Sequence, residues 1–212
     1  MACCFACKYC GSKAGKARKN ELSTSECLNV ANQLADIGCR RVSLIGGEVF
    51  VHPDRVEIVK ALTGRGVKVS IITNGFLFSE VILSELKSIN IESVAVSLDG
   101  PEYIHDMFRQ DGSFKRAINA INTLTENGIP VSVTSTLHSM NVVYPEELYR
   151  ILKETDIFAW QPQACSPMGN VNDTLLSTDI DFGEVIRFVE SHIGKSDFAI
   201  GVADNIGYYS AS

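Results

Sequence analysis

The sequence predicts an α/β fold built on a parallel sheet, and three observations carry this prediction. Short apolar segments alternate with amphipathic segments of about 10 to 15 residues, the pattern of repeated βα units. The apolar segments are nearly continuous in Val, Ile and Leu, as strands covered by helices on both faces must be. Polar or glycine-rich residues follow each strand, where the strand ends of such a sheet meet at one rim.

The elements follow one another in a regular order. Strands are predicted at residues 42–45, 67–73, 93–98, 131–137, 157–161 and 198–202. Helices are predicted at residues 23–38, 52–66, 79–90, 113–128, 145–155 and 179–194. The first helix begins with a capping box of Ser23 and Glu26. Ser79 and Ser113 are expected N-caps, and Pro145 suits the first helical position. Glycines end most of these helices.

Composition narrows the class of protein. The chain has 212 residues, and 19 Lys and Arg against 25 Asp and Glu give a net charge of −6. A hydrophobic fraction of 45% is typical of a globular protein and too high for a disordered one. The acidic balance argues against nucleic acid and against membranes as partners, because both need a basic face. With neither a secretion signal nor an apolar run of about 18 residues, a cytoplasmic location is expected.

The seven cysteines are distributed unevenly along the chain. Four of them fall within eight residues: Cys3, Cys4, Cys7 and Cys10. This density indicates metal ligation or redox chemistry, and an odd total without a secretion signal argues against a disulfide framework. We expect the isolated Cys27 and Cys39 to be small buried core residues.

Cys3, Cys7 and Cys10 have C-x3-C-x2-C spacing. Thiolates are soft ligands that suit iron–sulfur clusters or zinc. Three cysteines on one short segment can hold three corners of a [4Fe–4S] cube and leave the fourth iron open, whereas a structural zinc site takes four protein ligands. Cys4 offers a C-x2-C-x2-C alternative with Cys7 and Cys10.

Five polar or glycine-rich segments follow the predicted strands, at residues 46–48, 73–75, 97–100, 138–141 and 163–170. Each one taken alone is compatible with an ordinary turn between a strand and a helix. Since parallel strands end at one rim, the five together predict a site there that faces the cysteine cluster.

These motifs together resemble the radical S-adenosylmethionine (SAM) superfamily. Its signature is C-x3-C-x-aromatic-C, with Tyr9 as the aromatic residue here. The Gly-Gly-Glu at 46–48 is similar to the GGE motif of the superfamily, and residues 97–114 resemble its fourth-strand region. Residues 166–169 resemble its loop near the adenosine. The resemblance covers essentially the whole chain.

The resemblance implies a partial, TIM-like (β/α)6 barrel of parallel strands. In the superfamily a first strand precedes the cysteines, and that strand is missing from this sequence. The implied core domain spans residues 1–203. Residues 204–212 resemble the start of a junction to a C-terminal SPASM extension, which this sequence lacks.

The resemblance also implies a [4Fe–4S] cluster on Cys3, Cys7 and Cys10, with SAM bound at the open iron. The residues implied to contact SAM are Tyr9 beside the adenine, Gly46 and Gly47 where the backbone approaches closely, Glu48 on the amino group, Arg109 on the carboxylate, and Asn74, Ser97 and Asp99 on the ribose.

The implied activity is reductive cleavage of SAM and abstraction of a hydrogen from a substrate. Similarity to SPASM-type members favours a peptide or protein substrate, with a tetrapyrrole or another cofactor precursor as the alternative. A low-potential donor, a flavodoxin or ferredoxin, would supply the electron. A non-catalytic zinc or iron–sulfur module and an inactive truncated remnant remain as further hypotheses.

A basic segment precedes the first acid, Glu21. Its five cations are Lys8, Lys13, Lys16, Arg18 and Lys19. Such a run is most often a solvated face, and the alternative is a docking site for an acidic peptide or an electron donor.

Overall fold

The computed structural model describes residues 1–203, which contain one sheet of six parallel strands. The strands are β1 (Arg41–Leu44), β2 (Lys68–Thr73), β3 (Ser93–Ser97), β4 (Val131–Leu137), β5 (Ala159–Ala164) and β6 (Ala199–Ile200). They lie in chain order, with β1 and β6 at the two edges of an open sheet. The predicted fold class, with its parallel sheet, is confirmed.

The fifth strand differs from its prediction, because it begins later and continues through Pro162. The carbonyl of Pro162 accepts a hydrogen bond from the backbone N–H of Ala203 at 2.9 Å, so its nitrogen faces the β6 edge of the sheet. The pairing of β5 with β6 ends at Trp160 and Ile200, so the N–H that Pro162 lacks lies beyond the paired residues. The strand therefore continues past the predicted end at residue 161.

Seven α-helices occur within residues 1–203. They are α1 (Thr24–Asp36), α2 (Arg55–Thr63), α3 (Glu80–Ser88), α4 (Glu102–Phe108), α5 (Ser113–Glu126), α6 (Pro145–Lys153) and α7 (Asp179–His192). Two 3₁₀ turns lie at Val49–Val51 and Asp173–Leu175. Ser23 and Glu26 form the predicted capping box of α1. Six helices match predicted ones, whereas α4 was missed because its segment had been interpreted only as a binding motif.

The start of α5 is capped by a residue of α4, and the prediction that Ser113 is its N-cap is wrong. Gly112 occupies the N-cap position with φ +72°, a left-handed conformation that suits glycine. The carboxylate of Asp106 accepts from the Gly112 N–H at 2.8 Å, the Ser113 hydroxyl at 3.0 Å and the Phe114 N–H at 2.7 Å. One side chain thus joins α4 to α5 and satisfies the free donors of the helix terminus.

The core lies between the central strands and the helices that cover them. Val96 of β3 and Val133 of β4 are fully buried, as are Ile121 and Leu124 of α5. The 3.6-residue period of α5 puts its apolar side chains on the face that meets the sheet. This packing fixes the strand ends that carry the candidate site.

The isolated cysteines are not all core residues. Cys165 is buried, but Cys27 and Cys39 are only partly buried, and the prediction for these two is wrong. Cys39 lies in the short connection before β1, and Cys27 lines a groove beside that edge strand. An edge strand has neighbours on one side only, so residues beside it stay partly accessible.

Within the described part of the chain, none of the helices combines the length and apolarity needed to cross a bilayer. The assignment of residues 1–203 to one core domain stays a prediction. The expected junction at residues 204–212 lies outside the described residues.

We expect Asp106→Ala to lower the free energy of unfolding by about 1–2 kcal/mol, because donors at the start of α5 lose their acceptor. Urea denaturation measures this change. Asp111→Ala, which removes an exposed carboxylate five residues later, is the control and should cost less than about 0.5 kcal/mol. Equal losses in the two variants would contradict the capping role.

Candidate functional site

A cavity of about 470 Å³ lies at the carboxyl ends of the strands. The strand residues around it are Ile45 to Gly47 after β1, Ile72 to Asn74 at β2, Ser97 at β3, Thr134 and Thr136 at β4, and Gln161 and Gln163 at β5. Residues 2–10, which we call the cysteine segment, contribute another part of the cavity wall through Cys3, Cys7 and Cys10. The structure thus brings the predicted rim and the cysteines to one cavity.

Nine of the eleven residues proposed from the sequence line this cavity. They are Cys3, Cys7, Tyr9, Cys10, Gly46, Gly47, Asn74, Ser97 and Arg109. The other two, Glu48 and Asp99, are buried carboxylates, 3% and 1% exposed, that lie outside the cavity lining. The contacts that these eleven residues make with a ligand stay predictions.

The donor chemistry of the cysteine segment fits an iron–sulfur cluster. Cys3, Cys7 and Cys10 present three thiols to the cavity, and backbone N–H groups already face two of the sulfurs. The Phe5 N–H donates to Cys3 Sγ and the Ala14 N–H to Cys10 Sγ, both at 3.4 Å. Such N–H donors tune a cluster by stabilising charge on sulfur. Among the side chains that the structure describes, no three of His, Cys, Asp or Glu stand close enough together to hold a single ion.

Cys4 differs from its neighbour Cys3. It is not among the residues that line the cavity, and its Sγ accepts a hydrogen bond from Asn74 Nδ2 at 3.3 Å. A hydrogen bond from Cys4 lowers the pKa of Cys3 to about 6, and the same bond raises the pKa of Cys4. Burial raises the pKa of Cys7 to about 11. Thiolates are the metal ligands, so ligation at Cys7 must displace a tightly held proton.

Glycines allow the cysteine segment to lie directly on two neighbouring segments. A Cβ on Gly47 would lie 1.9 Å from the carbonyl oxygen of Ala2, and one on Gly169 would lie 2.1 Å from that of Cys10. Hydrogen bonds cross both contacts: the Glu48 N–H donates to Ala2 and the Asn170 N–H to Cys10, each at 3.0 Å. The packing of the cysteine segment alone therefore requires glycine at position 47, independently of the predicted close approach to a ligand.

Glu48 is a structural anchor at the end of β2. Its carboxylate accepts from the Thr73 hydroxyl at 2.8 Å, the Asn74 N–H at 2.8 Å and the Phe50 N–H at 3.1 Å. Burial raises its pKa, and these three hydrogen bonds act in the opposite direction. A carboxylate has about four acceptor positions, so these bonds leave one free for a ligand such as an ammonium group.

Asp99 holds Arg109 and Tyr9 together. It accepts from Arg109 Nε at 2.5 Å and Nη2 at 3.1 Å, from the Tyr9 hydroxyl, and from the Thr136 N–H at 2.9 Å. Burial alone would raise the pKa of Asp99, but the adjacent Arg109 guanidinium lowers it to about 2. These bonds occupy about four acceptor positions of the carboxylate, and the ribose contact of Asp99 stays a prediction. The Arg109 side chain, 9% exposed, is fixed at the cavity wall.

Tyr9 is packed on three sides within the described structure. Its ring centroid lies 5.5 Å from that of His138 and 6.3 Å from that of Phe108, and the Arg109 guanidinium carbon lies 5.5 Å from the ring. Cation–π contacts of this kind favour a guanidinium over an aromatic face. The aromatic residue of the cysteine segment is thus tied to α4 and to the segment after β4.

The sequence analysis did not name Thr134, Thr136 or Gln161, and it placed Gln163 and Asn141 in rim segments without giving either a role. Thr134, Thr136, Gln161 and Gln163 line the cavity, and Asn141 Nδ2 donates to the Asp99 and Thr136 carbonyls at 2.9 and 2.8 Å. A signal for the strand residues was present, because polar residues at every second position of an otherwise buried strand share one face. Nothing local in the sequence pointed to the role of Asn141.

A sequence profile of the radical SAM superfamily matches residues 1–155. The chain belongs to the radical SAM superfamily. Membership implies a [4Fe–4S] cluster and SAM as cofactors, and it confirms the resemblance seen in the sequence.

Several curated proteins are similar to this superfamily member. The sporulation killing factor maturation protein SkfB of Bacillus subtilis is 27% identical over 88% of this chain and 46% of its own length. The mycofactocin maturase MftC of Mycobacterium ulcerans is 34% identical over 66% of this chain and 39% of its own. An AdoMet-dependent heme synthase of Methanosarcina barkeri is 26% identical over 88% and 54%. The chain spans about half the length of the curated relatives it matches.

Solved structures support the fold. Streptococcus suis SuiB bound to S-adenosylmethionine superposes with a TM-score of 0.84 at 18% identity, over 96% of this chain and 48% of SuiB. The structure of anSMEcpe with bound AdoMet and a peptide superposes with a TM-score of 0.76 at 18% identity, over 94% and 60%. At this identity the likeness concerns the fold alone, and it agrees with the predicted partial barrel.

We expect Gly47→Ala to destabilise the fold by about 1–3 kcal/mol in urea denaturation, since its Cβ would overlap the Ala2 backbone. Displacement of the cysteine segment should also reduce the iron retained after anaerobic reconstitution. Gly15→Ala is the matched control, because a Cβ there meets no heavy atom within 4 Å. Full stability and iron content in Gly47→Ala would show that the contact is not tight.

We expect Asp99→Asn to cost about 3 kcal/mol of stability, because the buried Arg109 charge loses its counter-charge. The loss in the double variant Asp99→Asn/Arg109→Gln should be smaller than the sum of the single losses. Urea denaturation of the four proteins measures this coupling. Additive losses would mean that Asp99 and Arg109 do not depend on each other.

Proposed function

We propose that the chain binds a [4Fe–4S] cluster through Cys3, Cys7 and Cys10 and binds SAM in the adjoining cavity. The reaction is reductive cleavage of SAM, used to abstract a hydrogen atom from a substrate. The observation that carries the proposal is the convergence of three cysteines and the strand-end residues on one cavity of about 470 Å³. This volume falls within the range of small-ligand sites.

The proposed roles of the chain's own residues are to bind the cluster and to bind and orient SAM. Three thiolates hold the cluster, Asn74 and Ser97 lie at the wall where ribose hydroxyls can bond, and Arg109 is held ready for a carboxylate. When bound, the cluster and SAM supply one-electron cleavage of a sulfonium and hydrogen abstraction, chemistry that protein side chains lack. The remaining acceptor position of Glu48 suits the amino group of SAM.

The proposed substrate is a peptide or protein. Three similar proteins support this: SkfB is named a maturation protein, MftC a maturase, and SuiB has been crystallised with its precursor peptide SuiA. The second candidate is a tetrapyrrole, because relatives at 24–30% identity are named heme synthases or Fe-coproporphyrin III synthase. A flavodoxin or ferredoxin is the proposed source of the electron.

We expect anaerobic reconstitution with iron and sulfide to give about four irons per chain. Dithionite and SAM should then yield 5′-deoxyadenosine, measured by liquid chromatography. Alanine at Cys3, Cys7 or Cys10 should abolish the product, because each variant loses one of three cluster ligands.

Two controls separate the alternatives. Cys27→Ala should keep both iron and product, since this thiol lies outside the cavity. Cys4→Ala should also keep both, whereas its loss of iron together with retention by Cys3→Ala would favour the C-x2-C-x2-C alternative. Zinc in place of iron, with no product from any protein, would favour a structural metal module.

A further inference from the structure

A second depression, which we call the outer groove, also borders the cysteine segment. Its volume is about 770 Å³, and its lining includes Cys7, Lys8, Lys13, Phe108 and Met140. Cys7 also lines the inner cavity. The two spaces therefore adjoin at Cys7, and a molecule in the outer groove would lie against Ala6, Cys7 and Lys8, beside a proposed cluster ligand.

The outer groove is basic in a chain that is otherwise acidic. Its charged lining residues, Lys8 and Lys13, are exposed, and neither forms an ion pair with a carboxylate of the described residues. Lys8 Nζ lies 5.3 Å from the centroid of the Phe108 ring, a cation–π contact that positions the ammonium group at the groove. Residues 1–20 hold five cations and no acid, whereas the remainder holds 14 cations and 25 acids.

We propose that the outer groove is the docking surface of the electron donor, a small protein whose low-potential redox centre lies in an acidic face. The assignment rests on the proposed function, because it presumes a cluster on Cys7. In the step it serves, one electron leaves the reduced donor, which is oxidised by one electron, and enters the cluster; no proton or chemical group crosses the interface. Docking there leaves the cavity itself free for SAM and substrate.

Charge complementarity and position together favour this occupant. Opposite charges on two protein faces steer their encounter and orient the complex. An acidic peptide would satisfy the charges equally well, but a substrate must reach the inner cavity rather than the outer groove. Asp173 lies in the turn between two groove residues, Asn172 and Thr174, and is the nearest acid along that turn.

Binding can be measured independently of turnover. A bacterial flavodoxin is immobilised, and its affinity for the reconstituted protein is measured by biolayer interferometry at low ionic strength. Lys8→Glu/Lys13→Glu should bind about tenfold more weakly, and the affinity of the unaltered protein should fall with added salt. Lys60→Glu/Lys153→Glu, an equal change of charge on α2 and α6, is the matched control and should bind like the unaltered protein.

A variant expected to strengthen binding controls for weaker binding caused by misfolding of the cysteine segment. Asp173→Lys should bind flavodoxin more tightly, because it adds a cation at the rim of the groove. Equal affinities for the groove and control variants, or no tightening in Asp173→Lys, would overturn the docking assignment. Product formation with dithionite tests the proposed function separately: its absence in the unaltered protein contradicts that function, whereas its presence with unchanged flavodoxin affinities contradicts docking alone.

Discussion

The site depends on one constraint, the close contact between the backbone of the cysteine segment and the body of the protein. The segment contains neither a helix nor a strand of its own, so its shape comes from bonds to other parts of the chain. Among the backbone hydrogen bonds that hold it, the Cys3 N–H donates to Gly15, the Glu48 N–H to Ala2, the Lys8 N–H to Phe108 and the Asn170 N–H to Cys10. Ordering an irregular loop costs about 1–2 kcal/mol per residue, and these contacts offset that cost.

The buried ion pair of Asp99 and Arg109 contributes more to the orientation of side chains at the cavity than to the stability of the fold. Removing Asp99 and Arg109 from water is costly, and their mutual attraction does little more than offset that cost. What the pair achieves is orientation, because Asp99 fixes Arg109 at the cavity wall while also accepting from Tyr9 of the cysteine segment. Asn141 in turn holds the Asp99 carbonyl. The cysteine segment, the end of the third strand and the residues after the fourth strand are thereby connected through one residue, Asp99.

The features that depend on local pattern could be predicted from the sequence. The six strands, most helices and the shared rim follow from apolar periodicity and from turn residues, and these predictions hold. The predictions that were wrong concern residues whose role is set by a side chain or strand in another element. Asp106 caps a helix that begins seven residues later. Pro162 continues a strand because it lies beyond the residues of β5 that pair with β6. Side-chain pairing of this kind has no periodic signal.

The separation of the cysteines from the residues that hold them sets an order of events during synthesis. Asn170, whose N–H donates to the Cys10 carbonyl, is made 160 residues after Cys10. At typical translation rates of about 5–20 residues per second, roughly 8–30 seconds pass between the synthesis of Cys10 and that of Asn170. For that interval the thiols of Cys3, Cys4, Cys7 and Cys10 lack this part of their surroundings and are open to oxidation or to stray metal ions.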